Sequence, residues 1–185
     1  MRGRISATFA VALLVLSSTA ALAQVFTDFP VNGQISAFSI SGGGSTSDSF
    51  TLASPATVGQ VVFGAWVNTG DTVTSLTWAI GTTPYDTSLG TGVATASSAY
   101  DFTNVDGFDV DTITFSIPSV SLPAGTYYLT LTNAASASGQ PDVYWDINDA
   151  TGVDAWNNIS GHVSACLLYT SVAEIEAGSA CDLGA

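Results

Sequence analysis

Residues 122–133 (LPAGTYYLTLTN) begin with a turn sequence, and residues 127–132 then alternate strictly between two sets of side chains. Pro123 and Gly125 favour the turn, because proline fixes φ and glycine adopts positive φ without strain. The first set is Tyr127, Leu129 and Leu131, and the second is Tyr128, Thr130 and Thr132. A period of two in aromatic and β-branched residues is typical of a strand with one buried and one solvated face. Other segments repeat this pattern, so we expect strands packed around a common apolar layer.

The repeated segments are residues 35–41, 47–53, 57–67, 73–81, 112–117 and 142–147. Roughly eight strands with turn signals every 8–12 residues predict one antiparallel β-sandwich of jelly-roll or immunoglobulin-like type. Residues 57–67 are apolar on both faces near their middle, which predicts a central strand. The predicted core consists of Phe50, Leu52, Phe63, Leu76, Trp78, Ile113, Phe115, Leu129 and Leu131.

Three local features predict boundaries between these strands. Ser54-Pro55-Ala56 is predicted to join two antiparallel strands. Residues 82–98 are rich in Gly, Ser and Thr, which predicts a long loop with a short strand in it. The strand at 112–117 is predicted to end at Pro118, because proline lacks the N–H that a strand ladder uses.

The first residues have the organisation of a secretory signal peptide. Met1-Arg2-Gly3-Arg4 is basic, an apolar run follows, and Ala21-Leu22-Ala23 resembles a cleavage site. The apolar run is shorter than the roughly 20 residues that a membrane-spanning helix needs. We therefore expect a signal peptide at 1–23, a folded domain at 24–164, and a secreted, extracellular or cell-surface protein.

Cleavage after Ala23 would remove Arg2 and Arg4, which are the 2 basic residues of the chain, and leave all 15 Asp and Glu. Nucleic acids and anionic membrane surfaces are bound through cations, so neither is expected as a partner. Charged residues make up 9% of the chain and hydrophobic residues 46%, which favours a folded domain over disorder.

An acidic segment offers the hard oxygen ligands that calcium prefers. Its candidate ligands are Asn104, Asp106, Asp109 and Asp111. An EF-hand is excluded because, with Gly107 at position 6 of such a loop, Phe102 and Ile113 occupy two ligand positions. A calcium site of another kind and a solvated acidic loop both stay open.

A second group combines aromatic rings with carboxylate and amide side chains. Its members are Tyr144, Asp146, Asn148, Asp149 and Trp156. Rigid, amphipathic rings suit the apolar face of a sugar, and the polar groups would take its hydroxyls. Trp145 alternates with Val143 and Ile147 and is predicted to lie in the core instead.

Catalytic patterns find little support. A Ser-His-Asp triad would have to use the single histidine, His162, and the sequence has no nucleophile-elbow motif around a serine. A glycosidase requires two carboxylates, one of them with a raised pKa, which a sequence does not reveal. We predict a protein that is not an enzyme and has no catalytic residues.

Cys166 and Cys181 would pair in an oxidising compartment, if the segment that carries them is native.

The segments SDSFTLASPATVGQVVFGAW, GDTVTSLTWAIGTTP, SLPAGTYYLTLTNA and PDVYWDINDA, in this order, resemble exported bacterial β-sandwich proteins that often carry a PEP-CTERM sorting tail. The resemblance spans roughly residues 32–160 and implies an extracellular sandwich without agreed catalytic residues. The Pro-Glu-Pro motif, hydrophobic helix and basic end of such a tail are not found in this sequence.

The C-terminal sequence has two interpretations. Residues 166–171 (CLLYTS) resemble translated sequencing-adaptor sequence, which would make residues 165–185 non-native. They also fit a last strand at residues 163–171.

The sequence as a whole predicts a non-catalytic structural or adhesive protein of the cell surface, associated with matrix polysaccharide. The alternative is a carbohydrate-binding module, which calcium could assist.

Overall fold

The computed structural model describes residues 24–27, 31, 33, 36–148, 154–164, 166–167 and 169–172. Within these ranges the chain forms 13 strands and no helix, so none of its described segments is a helix fit to cross a membrane. The strands are β1 (Gln24–Thr27), β2 (Ser36–Ser39), β3 (Ser45–Leu52), β4 (Ala56–Val67), β5 (Val73–Gly81), β6 (Gly90–Thr103), β7 (Asp109–Leu122), β8 (Gly125–Ser136), β9 (Tyr144–Asn148), β10 (Asp154–Asn157), β11 (Gly161–Ser164), β12 (Cys166–Leu167) and β13 (Tyr169–Val172).

All described strand pairs are antiparallel, which confirms an all-β fold. Ten strands follow one hydrogen-bonded path in the order β1-β13-β4-β7-β6-β5-β8-β3-β10-β11. The other three join through β9, which pairs with β2, β4 and β12. Strand β4 has neighbours along both edges, as its apolar sequence predicts.

The alternation in the sequence predicts the core well. All nine predicted core residues are buried, with Ile113 and Leu131 fully inaccessible to solvent. They belong to one hydrophobic cluster that also contains Trp145, as expected from its alternation with Val143 and Ile147. We call the side of each strand that contributes to this cluster the core face, and the opposite side the outer face.

Two predicted boundaries are wrong. Residues 90–103 form the strand β6, although residues 82–98 are predicted to be mainly loop. The side chains that β6 turns toward the core are small, such as Ala94. The strand is stabilised by pairing, of residues 90–95 with β5 and of residues 96–103 with β7. Strand β7 also continues through Pro118, where the register with β4 breaks between Val58 and Gln60, so no regular ladder bond is lost there.

The segment Ser54-Pro55-Ala56 does not join paired strands. It connects β3 to β4, but β3 pairs with β8 and β10, whereas β4 pairs with β7, β9 and β13. The prediction of a direct antiparallel pair is therefore wrong. A short connection shows that two strands are consecutive, but long-range pairing decides which strands become neighbours.

Candidate functional site

Asp146 lies on the outer face of β9, because Trp145 and Ile147 on either side of it belong to the core cluster. Its carboxylate is fully buried. Oδ1 accepts a hydrogen bond from Nε1 of Trp66 at 2.7 Å, and Oδ2 accepts one from the backbone N–H of Gly33 at 3.1 Å. Both of these donors are electrically neutral groups.

An N-terminal segment covers Asp146 and is seated by two glycines. A Cβ on Gly64 would lie 2.9 Å from the methyl groups of Val31, and a Cβ on Gly33 would lie 2.7 Å from Cγ2 of Val110. Gly33 also has φ of 56°, a conformation that favours glycine. The absence of both Cβ atoms allows residues 31 and 33 to contact the outer face of the sheet directly.

Tyr144 is half-buried and forms part of an aromatic cluster. It is opposite Trp66 in the pairing of β9 with β4. The Phe108 ring lies 5.8 Å from Tyr144 and 6.0 Å from Trp66, measured between centroids. The Tyr144 hydroxyl donates to Oδ1 of Asp142 at 3.3 Å, and burial together with the charge of Asp142 raises the pKa of Tyr144. Trp66, with 6% exposure, and Val110, with none, are buried here without belonging to the main core.

Trp156 occupies a different place, on the outer face of β10. Its neighbour Ala155 belongs to the core cluster, and Trp156 is opposite His162 of β11 and Ser47 of β3. The Trp156 ring lies 5.2 Å from the Tyr128 ring and 5.2 Å from the His162 ring, again between centroids. Trp156 and Tyr128 are half-buried, and His162 is exposed.

The five residues predicted to bind sugar are thus not brought together as one described cluster. Tyr144 and Asp146 lie on β9 near Trp66, whereas Trp156 lies on β10 between Tyr128 and His162. The side chain of Asn148 and the whole of Asp149 lie outside the described residues. Sugar binding by any of these residues stays a prediction.

The acidic segment is organised mainly by hydrogen bonds within the protein. Asp109 accepts from the backbone N–H of Gly70 at 2.7 Å and from the hydroxyl of Thr103 at 2.7 Å. Oδ1 of Asn104 accepts from the backbone N–H groups of Asp106 and Phe108, which closes the turn between β6 and β7. Nδ2 of Asn104 is a buried nitrogen without a hydrogen-bond partner in the described part of the chain.

Two carboxyl groups near this segment have shifted pKa values. Asp111 is 2% exposed, and its burial raises its pKa. The hydrogen bond from Ser98 acts to lower this pKa, but burial and the negative charges of Asp109, Asp101 and Asp71 outweigh it. Burial also acts to raise the pKa of Asp71. Hydrogen bonds outweigh it there and lower the pKa to about 2, with donors on Ser138, Ser136 and the backbone of Thr72.

No three His, Cys, Asp or Glu side chains in the described ranges form a group that could hold a metal ion. Asp106 is exposed, while Asp109 and Asp111 are buried and hydrogen-bonded to protein groups. A calcium site that also uses amide or backbone oxygens stays a prediction. The side chain of Cys166 and all of Cys181 lie outside the described residues, so the disulfide also stays a prediction.

Sequence reasoning did not single out Trp66, Phe108 or Tyr128 as members of these clusters. Trp66 lies 80 residues from Asp146 in the chain, and Tyr128 is two strands away from Trp156. Alternation does indicate that Tyr128 points away from Leu129 and Leu131. The strand order that puts it beside Trp156 has no local signal.

Comparison of the chain with protein-family models and with curated proteins finds no match. The resemblance to exported bacterial sandwich proteins therefore stays a prediction.

Proposed function

We propose that the protein is a non-catalytic structural or adhesive protein of the cell surface or extracellular matrix. The observation that supports this most is the use of its carboxylates. Asp71, Asp86, Asp109 and Asp146 each accept hydrogen bonds from backbone N–H groups and neutral side chains at turns and covered faces. Acidic residues that hold loops in place serve the fold, and the part of the chain that the structure describes contains no Lys or Arg.

The same chemistry argues against glycoside hydrolysis. A general acid needs a raised pKa and must also reach the scissile oxygen. Asp111 has the raised pKa, but it is 2% exposed and belongs to β7, where it pairs with Ala65 of β4 and Tyr100 of β6. Asp86, which is accessible, has a pKa of about 2 because of hydrogen bonds from Ser88 and the backbone of Thr82, so it holds no proton to donate at neutral pH.

The strands form, in this proposal, the two packed layers of a β-sandwich. Strand β6 changes partner along its length, since residues 90–95 pair with β5 and residues 96–103 pair with β7. One hydrophobic cluster contains Trp78 and Leu131 from one group of strands and Phe63 and Phe115 from the other. A sheet that bends at β6 and closes over a shared core accounts for both observations.

Export is part of the proposal and rests on residues 1–23. N-terminal sequencing of secreted material is expected to begin at Gln24-Val25-Phe26. Trypsin cleaves after Lys and Arg, and the 2 such residues of the chain are Arg2 and Arg4. Trypsin is therefore expected to leave the mature chain whole even after denaturation. A specific tryptic fragment of the mature chain would contradict this processing site.

A second candidate function is carbohydrate binding, with or without calcium. The observation that favours it is the set of three rings on the outer face, Tyr128, Trp156 and His162. Aromatic rings that are partly accessible and rigidly packed suit the apolar face of a sugar.

One set of measurements separates these functions. Mature protein is incubated with a panel of soluble and insoluble polysaccharides, with calcium and with a chelator, and both binding and released sugars are followed. Retention on several unrelated matrix polysaccharides without released sugar is expected for an adhesive protein, whereas a carbohydrate-binding module should retain one class of polysaccharide and lose that binding in Trp156→Ala. A thermal transition that falls in chelator without loss of binding would indicate a structural calcium site. Released sugar in any sample would overturn the proposal.

A further inference from the structure

The rings of Tyr128 and Trp156 lean toward each other across an intervening strand. Tyr128 lies on β8 and Trp156 on β10, with β3 between them. Backbones two strands apart are separated by about 9.5 Å, yet the two ring centroids are 5.2 Å apart. Strand β3 presents Ser47 and Ser49 on this face, and such small side chains leave room for rings from both neighbours.

His162 continues this row of rings on the far side of Trp156. The two residues are directly opposite in the pairing of β10 with β11, and their rings meet at 45°. The Tyr128 ring is inclined at 70° to Trp156 on the other side. The indole is therefore held between two inclined rings and keeps one orientation, which lowers the entropy lost when a ligand packs against it.

A carboxylate lies at the Tyr128 end of the row. Gly81 is opposite Tyr128 in the pairing of β5 with β8, and a Cβ on Gly81 would clash with Cβ of Asp86. Asp86 therefore sits over the sheet on the side of Tyr128. Its oxygens are oriented by the N–H groups of Thr82 and Ser88, each at 2.9 Å. Ring faces beside an oriented carboxylate combine an apolar surface with an acceptor for hydroxyl or ammonium groups.

The charge of the protein restricts which sugars this surface can take. After loss of residues 1–23 the chain has no Lys or Arg against 15 Asp and Glu. A polysaccharide of uronic acids would bring its own carboxylates to Asp86 and to an anionic surface, and like charges at an interface are unfavourable. Neutral sugars and amino sugars avoid this repulsion.

We propose that the outer face formed by Tyr128, Trp156, His162 and Asp86, here called the Trp156 face, binds non-acidic polysaccharide. The inference rests on the second proposed function and names its site and its class of ligand. The rings take the C–H face of a pyranose, and Asp86 accepts hydrogen bonds from a neighbouring hydroxyl or ammonium group. Tyr144 and Asp146 are not part of this site, because they lie in the separate cluster around Trp66.

The tryptophans provide an internal probe of this face. Trp66, Trp78 and Trp145 are buried, at 6%, 3% and 0% exposure, whereas Trp156 is half-buried. Acrylamide, which is neutral and so is not repelled by the anionic surface, should quench mainly Trp156. A ligand on the Trp156 face should protect that residue from the quencher.

The experiment uses secreted mature protein and three probes: a soluble neutral β-glucan, a partly deacetylated amino-sugar oligomer and a polygalacturonate. Binding is measured by calorimetry and by acrylamide quenching. We expect binding of the neutral or the amino-sugar probe, with protection of Trp156, and none of the polygalacturonate. Trp156→Ala and Tyr128→Ala should each weaken binding on the order of tenfold or more.

Tyr144→Phe is the matched control, since it keeps a ring in the other aromatic cluster and should bind as the parent does. His162→Ala alters an exposed position and Asp86→Asn a half-buried one that keeps one side-chain oxygen as an acceptor, so both serve if the larger truncations lower the melting temperature. Binding that survives both Trp156→Ala and Asp86→Asn would overturn the assignment of this face while leaving carbohydrate binding intact. Equal binding of polygalacturonate would overturn the ligand class, and no binding of any probe would overturn the site together with the second function.

Discussion

Nε1 of Trp66 lies 2.7 Å from Oδ1 of Asp146, and both side chains are buried on the outer face of adjacent strands. The second oxygen of the same carboxylate accepts from the backbone of Gly33. Asp146 thus ties an N-terminal segment to the β4–β9 junction, where β9 pairs with β4 through two residues, Trp145 and Tyr144. This junction depends on long-range hydrogen bonds as well as on strand pairing.

Asp146→Ala is therefore expected to destabilise the protein. It leaves the indole N–H of Trp66 and the backbone N–H of Gly33 without this acceptor, and each buried unsatisfied group costs about 1–3 kcal/mol. Asp146→Asn keeps one oxygen and should cost less than Asp146→Ala. Urea unfolding measures both, with Asp106→Ala at an exposed position as the control. Equal stability of Asp146→Ala and the control would show that the buried carboxylate does not hold this segment.

Gly33→Ala should also weaken the contact of the N-terminal segment with the sheet. The new methyl would lie 2.7 Å from Cγ2 of Val110 and 3.0 Å from Cε2 of Phe102, at a residue with φ of 56°. Gly43→Ala is the matched control, because Gly43 has φ of 91° but no atom within 4 Å of its added Cβ. Both variants carry backbone strain, of about 1–2 kcal/mol. Gly33→Ala should lose a further amount of about 1–3 kcal/mol from overpacking in urea unfolding. A loss no greater than that in Gly43→Ala would argue against a tight contact.

Phe115→Ala tests the main core. Phe115 is 2% exposed, and its ring meets that of Phe63 edge to face at 6.2 Å. Removing a buried phenyl ring costs about 3–5 kcal/mol, which is a large part of the stability of a domain of this size. The melting temperature should fall by many degrees, whereas Val93→Ala, at a residue with 76% exposure, should leave it nearly unchanged. An unchanged transition in Phe115→Ala would mean that β7 does not contribute this face to the core.

The core could be predicted from sequence because alternation is a local property. Phe115, Leu129 and Trp78 each lie in a segment whose period of two assigns a buried face without knowledge of the partner strand. Strand β6 was missed for the opposite reason. Its residues turned toward the core, such as Ala94, are too small to mark a face, and its order comes from two neighbouring strands.

The candidate sites could be predicted only in part. Alternation puts Asp146 on the face of the strand that Trp145 does not occupy. A carboxylate that points outward is predicted from the sequence to bind sugar. In the structure, residues 31 and 33 lie over Asp146. No periodic pattern in the sequence indicates that these residues contact the sheet. Trp156 is half-buried, and its neighbour Tyr128 is brought beside it by the order of strands β8, β3 and β10.

Acid should destabilise the fold partly through Asp71. Hydrogen bonds lower its pKa in the folded protein to about 2, from an ordinary value of 3.8. A lowered pKa contributes stability above 3.8 that is lost as the pH falls toward 2, because the unfolded chain binds the proton first. Asp71→Asn should therefore be less stable than the parent at pH 7 and should lose less stability between pH 4 and pH 2. Equal acid sensitivity of the two proteins in urea unfolding would contradict this role.

Asp111 should act with the opposite sign. Burial and the charges of Asp109, Asp101 and Asp71 raise its pKa in the folded protein above the ordinary 3.8. The folded state then keeps the proton where the unfolded chain has lost it, so this contribution is present below 3.8 and is lost as the pH rises through the raised value. Asp111→Asn stays neutral and keeps an acceptor for Ser98, so its stability should fall less than that of the parent between pH 4 and pH 7. Urea midpoints across this range test the expectation, with Asp106→Asn as the exposed control, and an identical decline in Asp111→Asn and the parent would show that Asp111 does not carry this loss.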